Sequence, residues 1–264
     1  MTKSKKKKKP SKASRKELQK QLRTIITDAK GQKDPLITLP PAFLSVPLSP
    51  VSCTTQNNND TDNDMTEATI RYFSSPLPPS LLKQCLNLFK TNMAQMYTQS
   101  SWGLDVEEKL NELQHSDARF LVVLSSNNDA TDENAVTTIE AENGDTADDK
   151  SENLDINTID NYEECTVHGF AHFRYELDDD NRPKFPITYL YELQIHPSMQ
   201  KLGLGKKLMT ITELTSLRMQ MKKIMLTVFR SNEGAMRFYK NRKYDIDSSS
   251  PSNFSGEENE KCDY

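Results

Sequence analysis

The chain has 264 residues, 27% charged and 35% apolar, with a formal net charge of only −4. That apolar share lies well below the ~45–50% of an ordinary globular chain, so part of the sequence is not core. The small total averages two opposed segments: residues 1–34 hold thirteen Lys/Arg against three Asp/Glu, and residues 125–164 hold one Lys against thirteen acids, which leaves −2 over the other 190. No run approaches the ~18 consecutive apolar residues of a membrane span. The basic start has no apolar stretch behind it, so it is not a secretory signal. Cys53, Cys85, Cys165 and Cys262 have neither metal spacing nor the density of a disulfide scaffold. The expectation is a soluble, reduced, intracellular protein with one single-core domain.

Residues 1–13 read as a disordered polybasic tail, either plainly solvated or serving nuclear import and anchoring near nucleic acid. Ser14 and Glu17 have the spacing of a capping box, and Leu18, Leu22, Ile25, Ile26 and Ala29 predict an amphipathic helix that Gly31 stops. Residues 34–65, rich in Pro, Ser, Asn and Asp, read as irregular connection. A strand at Ala68–Phe73 opens the domain proper, taken as 66–264. A helix of about twenty residues follows Pro76–Ser80, with Leu82, Cys85, Leu86, Phe89, Met93 and Met96 on one face. Ser100–Gly103 breaks it before a shorter helix at Leu104–Gln114 and a buried strand at Phe120–Leu124.

The acidic residues 125–164 read as a disordered insertion, either padding or a decoy competing with a basic substrate. Thr166–Glu176 and Ile187–Ile195 predict an antiparallel pair. A glycine-bearing loop, a helix from Leu204 to Met221, a strand at Lys223–Phe229, a helix at Asn232–Lys240 and a last strand at Tyr244–Asp247 complete the chain. The order predicts an α/β domain with a mixed central sheet flanked by helices and an added N-terminal helix.

The loop Gln200-Lys-Leu-Gly-Leu-Gly205 sits between a strand and a helix. Glycine lets a backbone approach a ligand closely, and the helix N-terminus suits a phosphate. Lys201, Lys206 and Lys207 add positive charge. The spacing is neither that of a P-loop nor the dinucleotide fingerprint. Two glycines alone favour a structural turn over a phosphate site. In context, Gln200-x-x-Gly203-x-Gly205 resembles the pyrophosphate-binding motif of the GNAT acetyltransferases, and Asn232-Glu-Gly-Ala-Met-Arg-Phe-Tyr239 resembles that family's next helix. Several longer blocks resemble the NatD-type, histone-specific N-terminal acetyltransferases. They are Thr91-Asn-Met-x-x-Met-Tyr-x-Gln-Ser-x-Trp-Gly103, His172–Tyr175, Tyr189–Gln194, Met221–Phe229 and Ser248–Ser252.

An α-amine must be neutral to be acylated, and its free pKa of about 7.7–8.0 makes a general base useful. Glu192, in an apolar strand, is the candidate; burial tends to raise a carboxyl, but the alternative is a carboxylate paired with Lys or Arg across the sheet. Strict alternation would put Tyr189, Tyr191, Leu193 and Ile195 on one face and Leu190, Glu192 and Gln194 on the other.

The resemblance implies acetyl-CoA as co-substrate, held by Leu193, Gln194 and Ile195 along its arm and by Lys201, Leu202, Gly203, Leu204, Gly205, Lys206 and Asn232. It implies Glu192 as the base, and peptide contacts at Tyr97, Trp102, Glu176, Tyr191, Thr227, Ser249 and Tyr264, with Leu177 and Asp178 beside them. Where this chain has Glu176 the family usually has Asp, and where the sequence stops at Tyr264 the family continues, so that last contact is expected to be frayed or the sequence truncated. Tyr239 matches a general acid of many GNAT enzymes. His168 and His172 read as structural rather than as metal ligands.

The expected activity is direct acetyl transfer to the α-amine of histone tails beginning Ser-Gly-Arg-Gly, in nucleus and cytoplasm. No metal, membrane or obligate auxiliary subunit is expected, and the basic tail offers ribosome or nucleic-acid association. The alternatives are a lysine side-chain or small-amine acetyltransferase, and a non-catalytic nucleic-acid- or ribosome-associated protein with a degenerate cofactor site.

Overall fold

The computed structural model describes residues 12–48, 67–126, 162–179, 183–253 and 263–264. Among the described residues, six strands form one sheet in chain order: β1 (Ser45–Pro47), β2 (Glu67–Ser74), β3 (Arg119–Ser126), β4 (Cys165–Leu177), β5 (Pro186–Ile195) and β6 (Lys223–Leu226). The first five pair antiparallel, and β6 lies parallel to β5. A parallel return needs a crossover, which α5 (Leu204–Arg218) supplies.

Helices cover both faces, which is why β3 is buried from Arg119 to Ser125. On one face, Ile26 and Ala29 of α1 (Lys12–Gly31) and Leu204, Leu208, Met209 and Ile211 of α5 pack on Ile70, Leu121, Val123, Ala171, Phe173 and Leu190. On the other, Leu81, Cys85 and Leu88 of α3 (Pro79–Gln99) and Leu113 of α4 (Val106–Leu113) pack on Phe120, Val122, Leu124 and Phe170. The helix α6 (Glu233–Asn241) brings Phe238 and Tyr239 against the first core.

Several expectations change. The helix α1 begins at Lys12, so Ser14 lies in its first turn rather than at its N-cap, and residues 12 and 13 are not tail. Lys and Ala are both good helix formers and carry the helix past the serine. Residues 1–11 lie outside the described residues. The helix is part of the common core, clamped by the Lys30–Asp117 ion pair (2.6 Å) and by Arg119, which donates to the Lys30 carbonyl (2.8 Å). The segment 34–65, expected to be irregular, contains the short helix α2 (Pro41–Leu44) and β1 before residues 49–66, which lie outside the description. A three-residue edge strand ending in Pro47 leaves no alternation to read.

The ends of the acidic segment belong to the domain: β3 continues to Ser126, and a 3-10 turn at Tyr162–Glu164 sets the Tyr162 ring 5.4 Å from Phe73. Residues 127–161 lie outside the description. Toward the C-terminus, α5 stops at Arg218 and β6 at Leu226, both short of the sequence expectation. No strand forms over Tyr244–Asp247. The Tyr244 hydroxyl bonds Glu213 (3.2 Å), and the Asp247 carboxylate takes Lys223 (2.5 Å) and the Ser249 amide (3.0 Å), side-chain bonds that turn this segment away from strand pairing.

Candidate active site

The site is built on a β-bulge. Across β4 and β5, Glu192 faces His172 while Leu190 faces Phe173, so Tyr191 is an extra residue on β5. An extra residue resets the alternation. Leu190 joins the α1/α5 core, whereas the Tyr191 ring stacks on His172 (5.1 Å) and lies 4.9 Å from Tyr189. Tyr189, Tyr191, Glu192 and Gln194 therefore share the α3/α4 side. Strict alternation is wrong here because it presumes a strand without a bulge.

Glu192 is only 5% exposed. Its Oε1 accepts from Lys109 Nζ at 2.8 Å, and its Oε2 accepts from Gln194 Nε2 at 2.6 Å. Lys109, on α4 and 7% exposed, also donates to Glu112 Oε1 (2.7 Å) and lies over the rings of Phe89 (4.8 Å) and Tyr97 (5.6 Å). Asn92 of α3 donates to Gln194 Oε1 (2.9 Å) and to the Ile195 carbonyl (3.0 Å). Burial pushes the Glu192 carboxyl up, and the Lys109 ammonium offsets part of that rise. For Lys109, burial alone would pull the ammonium down, but Glu192 and Glu112 outweigh it and the net direction is up. Glu192 is thus a paired carboxylate, with its lysine supplied by a helix rather than across the sheet.

Beside this pair, fully buried His172 stacks between Phe120 (4.8 Å) and Tyr191 (5.1 Å). Neither ring nitrogen makes a hydrogen bond, and Nδ1 is 3.8 Å from Glu112 Oε1. Burial, then Arg174 and Lys109, hold the imidazole well below its usual range, so it is neutral. The Arg174 guanidinium covers the outer face of Tyr191 (4.3 Å) and donates to the Glu112 carbonyl (2.7 Å). His168 bonds Ser125 (2.7 Å), and among the described residues no three His, Cys, Asp or Glu come together as metal ligands.

Aromatic rings line the neighbouring surface. Trp102, 48% exposed, lies 5.3 Å from Phe229 and 4.8 Å from Tyr264, and Tyr97 lies 5.0 Å from Phe229. Asp263 ties this wall together: its carboxylate accepts from the Ser101 amide (2.5 Å) and its carbonyl from the Arg230 amide (2.7 Å). The Tyr191 hydroxyl donates to Glu176 (2.8 Å), and Tyr189 bonds Thr227 (2.5 Å).

Three expected peptide contacts lie elsewhere. Leu177 packs against the core of the opposite sheet face. Asp178 accepts from the Lys184 (2.7 Å) and Phe185 (3.1 Å) amides and so closes the β4–β5 hairpin. Ser249 bonds Asp247, which is held to Lys223 at the far end of β6 from Thr227.

The second half of the site is the loop before α5. Pairing between β5 and β6 ends at Leu190 and Leu226, so β5 continues through Leu193, Gln194 and Ile195 with that edge free of β6. An edge of this kind can pair with an extended amide. Lys201 and Gly203 take left-handed backbone conformations (φ 63° and 88°), and no side chain caps α5. Alternation of right- and left-handed residues makes a concave array of N–H groups that suits an anion, reinforced by the helix dipole. Lys201, Leu202 and Lys206 are exposed around it, and Leu204 is buried. Lys207 instead donates to the Ser45 carbonyl. A Cβ on Gly203 would meet open space, whereas one on Gly205 would touch the Phe238 ring at 3.7 Å. Asn232 caps α6 through Oδ1 to the Ala235 amide (3.0 Å). The Ile195 carbonyl is taken by Asn92 and Gln200 (3.2 Å).

Lys109, Glu112, Asn92, Arg174 and His172 were not singled out as site residues from the sequence. The i,i+3 spacing of Lys109 and Glu112 is visible in the sequence, but nothing local marks the lysine as buried.

Residues 158–244 match the model of the Acetyltransferase (GNAT) family. Among solved structures, the chain is similar to an aminoglycoside N-acetyltransferase in complex with CoA (12% identity, 72% of this chain and 95% of that one, TM-score 0.43). It is also similar to an aminoglycoside acetyltransferase from an uncultured soil metagenomic sample (15%, 69% and 91%, TM-score 0.41). A third is a ribosomal-protein-alanine N-acetyltransferase from Brucella melitensis (13%, 69% and 96%, TM-score 0.38). The family match spans β4, the bulged β5, the loop that opens α5, and α6. By that match, this part of the chain is similar to the GNAT acetyltransferases.

Proposed function

We propose that the chain is an Nα-acetyltransferase that moves acetyl from acetyl-CoA to the α-amine of histone tails beginning Ser-Gly-Arg-Gly. The observation that carries this reading is Glu192, a buried carboxylate pushed up by its surroundings, beside an aromatic wall and the open edge of β5. A base of that kind suits an α-ammonium whose pKa is about 7.7–8.0. Acetyl-CoA, when bound, supplies the acyl group as a thioester. The amides of residues 201–205 with Lys201 and Lys206 hold its phosphates, and the β5 edge aligns its arm. Glu192 accepts the proton of the incoming ammonium, and the neutral amine attacks the thioester carbonyl; the C–S bond breaks, and the nitrogen loses one further proton as the departing thiolate takes one up.

Transfer is direct. Buried Cys85 has its thiol pushed up by desolvation, which makes it a poor nucleophile. Tyr239, whose phenol burial also raises, retains its proton and is the candidate donor to the departing thiolate. Glu176 on Tyr191 and the Tyr97–Trp102 wall suit a basic, flexible peptide end. In this reading no auxiliary subunit is required, the basic tail supports ribosome or nucleic-acid association, and the protein works in nucleus and cytoplasm.

The test compares a Ser-Gly-Arg-Gly peptide with the same peptide blocked at its α-amine but carrying free lysines. Faster turnover of the free α-amine supports the reading. Preference for the blocked peptide replaces it with a lysine acetyltransferase. Glu192→Gln should abolish turnover and leave acetyl-CoA binding by calorimetry intact; a wild-type chain that binds no acetyl-CoA would point to a non-catalytic binding module.

A further inference from the structure

We propose that Lys109, on α4, is a positioning residue of the acetyl-transfer site: bridging Glu192 and Glu112, it keeps the Glu192 carboxylate charged and fixed in one place. The inference rests on the reading of Glu192 as the base, and it concerns a helix outside residues 158–244.

A lysine at 7% exposure is uncommon, and this one is saturated. Its ammonium has 2.8 and 2.7 Å bonds to two carboxylates and lies over two aromatic rings, which uses the directions that three N–H donors offer. Folding alone does not call for the buried half of this arrangement. Glu112, one turn along α4 and partly exposed, would satisfy Lys109 by itself. Exchanging a buried ion pair for apolar groups is often neutral or stabilising. What the pair does provide is a charged carboxylate in an apolar strand, where burial otherwise favours the protonated acid that cannot act as a base.

The groups facing Glu192 leave that task to Lys109. From α3, Tyr97 is pushed up to about 12 by burial and stays neutral. From α6, Tyr239 is likewise raised and neutral. On β5, Tyr191 donates to Glu176. From β4, His172 is neutral and Arg174 is committed to Tyr191 and the Glu112 carbonyl. Glu112 is negative and opposes ionisation. Lys109 is the one cation in hydrogen-bond contact with Glu192 among the described residues. The remaining carboxylate oxygen is fixed by Gln194, which Asn92 holds in turn.

The experiment is the pH dependence of kcat/KM for the free-α-amine peptide, with acetyl-CoA binding and thermal unfolding measured in parallel. Lys109→Met removes the cation at similar length, so the Glu192 carboxyl rises further and the acid limb moves to higher pH. Activity at pH 7 should fall at least tenfold and recover in part at pH 9, with acetyl-CoA affinity unchanged. Lys109→Arg should return the limb to its wild-type position. An unmoved limb in Lys109→Met, or a limb that stays displaced in Lys109→Arg, overturns the proposal. If Lys109→Met leaves a bare buried carboxylate and does not fold, Lys109→Met/Glu192→Gln removes both charges. Recovery of folding in the double variant supports the coupling, and continued unfolding overturns it. A wild-type chain that acetylates no α-amine defeats the functional reading instead, whatever the variants do.

Discussion

Gly169 of β4 faces Ile195 of β5 so closely that a Cβ on Gly169 would stand 2.9 Å from the Gln194 carbonyl oxygen and 3.0 Å from Ile195 Cδ1. The first neighbour is backbone and cannot swing aside. The contact fixes where β5 leaves the sheet, one turn of chain before the loop that opens α5.

Gly169→Ala should therefore push the two strands apart at this point. Overpacking of this kind costs about 1–3 kcal/mol. Chemical denaturation should show the loss, and calorimetry should show weaker acetyl-CoA binding, since Gln194 and Ile195 shift with the strand. Wild-type stability in the alanine variant would mean that the strand exit is more tolerant than the geometry states.

The two loop glycines should respond differently. Gly203 has φ 88°, where a side chain is strained even though the space is open, so Gly203→Ala should cost roughly 1 kcal/mol or more. Gly205 lies within α5 with only ordinary contacts at 3.7 Å, and alanine is the better helix former. Gly205→Ala should leave the unfolding midpoint unchanged or raise it. Equal destabilisation by the two substitutions contradicts the assignment.

His172 predicts an acid sensitivity. Its folded pKa is lowered by burial while the unfolded value stays near about 6.5, so below that pH the unfolded state binds the extra proton. Stability is full above this window and falls as pH drops through it, by at most about 1.4 kcal/mol per pH unit from this group. His172→Phe keeps the stack between Phe120 and Tyr191 and gives up no hydrogen bond. Thermal unfolding from pH 7.5 to 5 should flatten in this variant; an unchanged slope assigns the acid sensitivity to other groups.

Trp102 offers a test of the peptide side. Half of its surface is already exposed, so Trp102→Ala should change stability by less than about 1 kcal/mol. On the functional reading above, KM for the peptide should rise at least fivefold while KM for acetyl-CoA holds. A rise in the acetyl-CoA KM instead would relocate the aromatic wall to the cofactor side.

Much of the architecture was legible before any coordinates. The β-branched and aromatic run of β5, the glycine loop opening α5 and the apolar period of α3 are local signals, and each element formed where those signals placed it. Boundaries were less legible where side-chain bonds compete with the backbone. Asp247 spends its carboxylate on Lys223 and Ser249, and the strand expected at Tyr244–Asp247 does not form. The start of α1 was misplaced because a capping-box spacing at Ser14 looks the same within a helix as at its beginning.

Sequence by itself determined the mixed α/β order, the loop that suits an anion and the presence of a carboxylate in an apolar strand, because these depend on neighbours within a few residues. Only the tertiary structure decided which way that carboxylate faces and what holds it. One bulged residue, Tyr191, places Tyr189 and Tyr191 on the side of Glu192, and a lysine 83 positions earlier supplies the charge. A bulge is a register relation between two strands, and a buried ion pair is a meeting of separate elements; neither leaves a mark in local periodicity. The near-neutral net charge of the chain conceals this as well, since Lys109 between Glu112 and Glu192, rather than any average, sets the charge beside the buried carboxylate.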